Sequence, residues 1–222
     1  MIIADRKPIE EIFEMIKEFD KILIVGCKGC VTVCNVGGAK EVDILAAILK
    51  IGRKKKQKPL QIDEKTLERQ CDLEYIAQIK DTVNKYDAVL SMACGVGLQF
   101  LAEAYPNQKF FPAVNTKFFG GATAHGIWEE RCAGCGICIV HYFGGLCPIA
   151  RCSKSLMNGP CGGSAEGKCE IDKNVACIWD LIVRKKMEHE RLDDLLDITP
   201  AKDWRSAKDG GPRRRECKEL IK

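Results

Sequence analysis

The alternation of apolar and polar positions changes character twice along this chain of 222 residues. From Pro8 to Phe19 the apolar residues Ile9, Ile12, Phe13 and Ile16 recur at the spacing of one helical face. Pro8 suits a helix start, where its missing N–H is not needed. Lys21 to Val25 is a short β-branched run, which predicts a buried strand ending at Gly26-Cys27. A helix is expected over Ala39 to Lys50, and Arg53 to Pro59 reads as a basic surface loop. A weak strand over Thr66 to Gln70 ends at Cys71. Leu73, Ile76, Ile79 and Val83 align on a further helix. Asp87 to Ala93 predicts a second strand ending at Cys94-Gly95, followed by a helix over Val96 to Ala104 and a strand over Lys109 to Val114.

Strands alternating with helices predict an α/β fold, an N-terminal parallel sheet with flanking helices. From about residue 115 the periodicity fades. Gly120-Gly121, Gly144-Gly145 and Gly162-Gly163 are interspersed with cysteines, and such a stretch is not expected to hold a conventional core. Helical periodicity returns at Ile178 to Leu196, with Ile178, Leu181, Ile182 and Met187 on one side, before a polar tail from Pro200. The expected organisation is therefore an α/β domain over 1–115, a cysteine-rich domain over 116–180, and a C-terminal helix and tail over 181–222.

Composition sharpens this picture mainly through its fourteen cysteines. No signal-peptide pattern opens the chain and no apolar run approaches a membrane span, so a cytoplasmic protein is expected. In a reducing compartment clustered cysteines point to metal or redox chemistry rather than disulfides. The formal net charge of +4 is mild. The basic runs Arg53 to Lys56 and Arg213-Arg214-Arg215 lack interleaved aromatics, so no nucleic-acid partner is expected.

Eight cysteines lie between residues 132 and 177, and the first three read Cys132-x2-Cys135-x2-Cys138. That spacing lets three thiolates reach adjacent corners of one inorganic cluster. Cys147-Pro148 follows, like the Cys-Pro that closes a ferredoxin run, although after a longer gap. Cys152, Cys161, Cys169 and Cys177 complete a set of eight, the complement for two [4Fe–4S] clusters. Spacing does not say which cysteines share a cluster, and zinc, which favours separated Cys pairs, is the alternative metal.

A second group is Cys27-x2-Cys30-x3-Cys34. With Cys71 and Cys94 these residues sit just past the carboxyl ends of expected strands, the edge where open α/β sheets bind ligands. A third metal site is expected there, either [4Fe–4S] or Zn. A dithiol pair at Cys27 and Cys30 is a further reading. The glycines near Cys27 and Cys94 complete no nucleotide-binding motif, and no catalytic triad or carboxylate pair is evident. The residues describe an electron carrier more readily than a catalyst.

The run Cys147-Pro148 through Asn158-Gly159-Pro160-Cys161-Gly162-Gly163, then Gly167-x-Cys169-Glu170 and Cys177-x-Trp179, resembles the methylenetetrahydrofolate reductase C-terminal family. Gly26-Cys27-x2-Cys30-x3-Cys34-x2-Gly37-Gly38 and Cys94-Gly95-x-Gly97 look like the same family, so the resemblance spans most of the chain. Its nearest form is the small iron–sulfur subunit that accompanies the flavin subunit of this reductase in acetogenic bacteria. The resemblance implies that the partner subunit holds FMN and binds the folate. The small subunit would relay electrons to that flavin, fed by a ferredoxin or another electron-donating subunit. It also implies that all eight cysteines from Cys132 to Cys177 are cluster ligands, and it leaves zinc open for the N-terminal site.

Overall fold

The computed structural model describes residues 1–219. It resolves into two compact units, Met1–Glu129 and Glu130–Lys222. In the first unit, β2 (Lys21–Cys27), β3 (Gln61–Leu67), β4 (Ala88–Ser91) and β5 (Phe110–Pro112) form a parallel sheet in the order β3-β2-β4-β5. Successive side chains of a strand point to opposite faces, and in β2 both faces are covered. Ile22 and Ile24 pack with α1 (Ile9–Met15) and α3 (Ala39–Lys55), through Ile12, Leu45 and Leu49. Leu23 and Val25 pack on the other side with Ile76 of α4 (Leu73–Ile76), Ile79, and Leu101 of α5 (Gly95–Ala104). That double coverage is why the run Ile22 to Val25 is apolar without alternation.

The expected parallel α/β sheet is present, and an additional sheet accompanies it. β1 (Ile2–Arg6) pairs antiparallel with β6 (Val114–Ala124), which is followed by β7 (Ile127–Cys132) in the order β1-β6-β7. Because β6 pairs with β1, the first compact unit extends past the change in sequence texture at residue 115. Ile3, Ala4 and Val114 of this sheet join Cys27, Val31, Cys34, Val36, Ala93 and Cys94 in a buried cluster distinct from the two that cover the parallel sheet.

Several elements depart from the periodicity. α3 continues to Lys55, so Arg53 is not in a surface loop. It is buried, and its guanidinium donates to the carbonyls of Lys17 at 2.8 Å, Phe19 at 2.9 Å and Lys58 at 2.9 Å. A positive charge there satisfies carbonyls that the short α1 leaves open at its C-terminal end. β3 lies earlier than its expected position, and Gln70 is outside it, fully buried. The expected helix from Leu73 shortens to α4 and two 3-10 turns, Ala77–Ile79 and Val83–Lys85.

The second unit has few regular elements: α6 (Pro148–Arg151), α7 (Ile178–Glu188) and short 3-10 turns. It nevertheless holds a small apolar core of Phe143, Cys177, Ile178, Trp179 and Ile182, which its glycine-rich texture concealed. Phe143 meets Trp179 edge-on at 5.5 Å, and the Trp179 indole donates to the Leu156 carbonyl at 3.0 Å. α7 ends at Glu188 rather than running to Leu196. Glu190 turns left-handed at φ 55°, and an ion pair between the buried Lys186 and the half-buried Asp194 holds the following turn against the helix. Among the described residues no helix is long and apolar enough to cross a membrane.

Removing the Arg53 guanidinium takes from those partly buried carbonyls their donor. Arg53→Ala is expected to destabilise the first unit by about 3 kcal/mol, and Arg53→Lys by less. The check is the urea midpoint by circular dichroism, and an unchanged midpoint for Arg53→Ala would refute this role.

Candidate metal centres

The N-terminal cysteines lie where the parallel sheet ends. Cys27 closes β2, α2 (Cys30–Val33) begins at Cys30 and is followed by Cys34, and Cys94 immediately precedes α5. Cys30 and Cys34 are four residues apart, so they lie on one side of the same helical turn. The turn between β2 and α3 is tight: a Cβ at Gly37 would collide with the Met92 carbonyl oxygen, so only glycine fits. Gln70 holds the strand ends beside it. Its amide donates to the carbonyls of Val25 at 2.8 Å and Gly26 at 2.9 Å, and its oxygen accepts from the Ser91 hydroxyl at 2.6 Å.

Cys27, Cys34 and Cys94 are buried, Cys30 is half-buried and Cys71 exposed. Burial raises the Cys27 pKa, and the neighbouring Cys71 and Cys94 raise it further, which puts these three in one electrostatic neighbourhood. Burial also raises the Cys34 pKa, with Cys30 adding to it. Their thiols donate to carbonyls: Cys34 to Cys30 at 3.0 Å, and Cys27 to Glu68 at a longer 3.9 Å.

In the second unit the eight cysteines divide. Cys152, Cys161, Cys169 and Cys177 line one small cavity, together with Ile171, Ile178 and Trp179. Antiparallel pairing of Lys168 with Ala176 brings the segments of Cys169 and Cys177 together, with the two cysteines diagonal across the pair: Cys169 N–H donates to Val175 at 3.0 Å, and Cys177 N–H to Gly167 at 2.8 Å. The N–H groups of Asp172 and Ile171 lower the Cys169 pKa, favouring its thiolate. Cys161 lies 3.1 Å from the Glu170 carboxylate, which Lys154 engages at 2.6 Å. The Lys154 ammonium, its pKa raised chiefly by Glu170, also feels Cys161 and Cys152.

The other four are spread along a separate stretch. Cys132 ends β7 and is exposed, its sulfur accepting from Gly134 N–H at 3.3 Å. The loop holding Cys132, Cys135 and Cys138 is buttressed by the polar tail. Ser206 donates to the Cys135 carbonyl at 2.9 Å, and Arg213 to that of Gly134 at 2.6 Å. Gly136 has φ 88°, and a Cβ there would strike the Ser206 carbonyl. Cys147 precedes α6 and Cys152 follows it, so these two occupy opposite ends of a helix about 6 Å long.

Among the described residues no three His, Cys, Asp or Glu side chains are placed to hold a single metal ion. Cys152, Cys161, Cys169 and Cys177 line a cavity instead of converging on one point. Four cysteines around one cavity, whose wall also carries Arg151, Ser153, Lys154 and Glu170 beside Ile171, Ile178 and Trp179, are in kind and number the donor set of an iron–sulfur cluster. Sequence reasoning found all the cysteines but missed Lys154, Glu170, Ser153 and Gln70, which carry no metal-ligand signature; only the Cys169-Glu170 dipeptide within the motif pointed to one of them.

Residues 111–205 match a family described as methylene-tetrahydrofolate reductase C terminal. The matched segment includes all eight cysteines of the second group and none of the five in the first. No curated protein and no solved structure matches the chain.

The two groups are expected to differ in thiol reactivity. In metal-depleted, reduced protein at about pH 8, between the ordinary thiol range and neutrality, Cys169 should alkylate well before Cys27 and Cys34. Peptide mass spectrometry over time reads the order, and equal rates would refute the contrast in burial and charge.

Proposed function

We propose that this protein, whose residues 111–205 carry the methylene-tetrahydrofolate reductase C-terminal domain, is the electron-transfer subunit of a methylenetetrahydrofolate reductase complex. The observation that carries this reading is the convergence of Cys152, Cys161, Cys169 and Cys177 on one cavity inside the matched segment. These four hold one [4Fe–4S] cluster. Cys132, Cys135, Cys138 and Cys147, none of which lines that cavity, hold a second. The clusters supply single-electron transfer when bound.

The chain's own residues prepare that chemistry. Backbone N–H groups stabilise the Cys169 thiolate. Lys154 offsets negative charge near Cys152 and Cys161, and the buried Ile178 and Trp179 limit water on one side of the sulfurs. Burial and hydrogen bonding to sulfur are the means by which a protein sets the potential of such a centre. The N-terminal cysteines Cys27, Cys30, Cys34, Cys71 and Cys94 hold a third metal, [4Fe–4S] or Zn. Reduction of the folate takes place on a partner subunit that holds FMN, with electrons entering from a ferredoxin or a further donor subunit.

Iron and acid-labile sulfide in anaerobically purified protein test the proposal. Cys161→Ser should remove roughly half the iron of the second unit, and Cys161→Ser/Cys169→Ser no more than that. Combining Cys161→Ser with Cys147→Ser should remove iron from both centres. Co-expression with the flavin subunit should yield a stable complex. Stoichiometric zinc without iron, and unfolding on chelation, would instead establish a zinc-stabilised structural subunit.

A further inference from the structure

The helix α3 is apolar on two faces. Val42, Leu45, Ala46 and Leu49 are buried in the core that covers one side of the parallel sheet. On the opposite side Ile44, Ile48 and Ile51 are 39%, 43% and 59% exposed. Their spacing of four and then three residues sets them one above another in a single stripe. Ala47, also exposed, widens it. The stripe is about 10 Å long at the α-helical rise. Apolar side chains exposed singly need no explanation, but an aligned set marks a contact surface. Isoleucine is also a poorer helix former than the lysine or glutamate of an ordinary solvated face, so helix formation does not account for three of them here.

The charges around the stripe are of mostly one sign. Lys40 lies one turn before Ile44 and Lys55 one turn after Ile51, in line with the stripe and about 22 Å apart. Lys54 lies beside it, and none of these three lysines has an ion pair among the described residues. Lys50 is engaged by Glu64 at 3.0 Å. Asp43 is the one exposed carboxylate of α3, because Glu41 is buried.

These charges select the occupant. Two copies of the chain joined along the stripe would set lysine against lysine: Lys40 meets Lys55 in antiparallel pairing and its own counterpart in parallel pairing. A lipid surface is poorly served, because the stripe is narrow and has no Trp or Phe. Permanent subunit interfaces are more hydrophobic than the contacts of transient redox partners. An apolar centre therefore fits a subunit that stays bound better than a donor that comes and goes.

We propose that the exposed face of α3 is the docking surface for the flavin-holding subunit, which covers the isoleucine stripe with an apolar face and meets Lys40 and Lys55 with carboxylates. The inference rests on the proposed function for the existence of that partner. The contact involves none of the cysteines.

The test measures the dissociation constant between the full chain and the purified flavin subunit. Ile48→Glu/Ile51→Glu should weaken the complex at least about a hundredfold. Lys40→Glu/Lys55→Glu should weaken it roughly tenfold and remove most of its dependence on salt. All four side chains are exposed, so the melting temperature of each variant alone should stay close to that of the unaltered chain. Leu73→Glu, at least as exposed but on α4 against the other side of the sheet, should leave binding unchanged. A complex that survives Ile48→Glu/Ile51→Glu, or that Leu73→Glu weakens equally, overturns the docking surface and leaves the partner in place. No complex with the unaltered chain removes the partner itself, and the docking surface with it. A dimer of the chain alone that Ile48→Glu/Ile51→Glu dissociates would give the stripe to a second copy. Binding to phosphatidylserine vesicles that the same variant loses would give it to a membrane. Either result overturns the proposal.

Discussion

The buried amide of Gln70 spans the carboxyl ends of two neighbouring strands. It donates to Val25 and Gly26 of β2 and accepts from Ser91 of β4, whose hydroxyl in turn accepts from Ala93 N–H. An interior group satisfied on both sides is costly to disturb, because each severed bond leaves a partner unpaired away from water. Cys27 follows Gly26, Cys71 follows Gln70 itself, and Cys94 follows Ala93. One side chain thus sets the positions of three turns, and each turn carries a thiol. The additional sheet then closes over them with Ile3, Ala4 and Val114.

The second unit reaches a comparable result with less. Its apolar core is small, and its thiols are held by a short helix, one stretch of paired backbone and the returning tail. Under the proposed function, metal held by these cysteines would supply much of the unit's stability. The cysteine-bearing turns would then be both the site and a large part of the fold. Lys154 and Glu170 fit this arrangement, since a charge pair beside two thiols matters most when those thiols are ionised.

Periodicity predicted the elements with an apolar face packed on the parallel sheet: β2, β4, β5, α1, α3 and α5. Those it displaced or missed obey other constraints. β3 is polar at most of its positions because one side of this edge strand faces water. β6 contains Gly120-Gly121, which reads as a turn, and β1 is a few residues at the very start whose pairing with β6 is entirely non-local. Arg53 looked like solvated charge because nothing in its neighbourhood announces the carbonyls that it serves. The cysteines stand out in the sequence as candidate ligands by their spacing, but which of them line one cavity does not. That depends on chain segments far apart in sequence meeting there.

The central claim is that the thiols of the second unit hold redox-active iron–sulfur centres. The most direct test is a reductive titration of the anaerobically purified protein, followed by visible absorption and electron paramagnetic resonance. The account predicts a brown protein whose absorption bleaches on reduction as paramagnetic signals appear, and which passes those electrons on to the flavin of its partner. A colourless protein that takes up no electrons and shows no signal would contradict it.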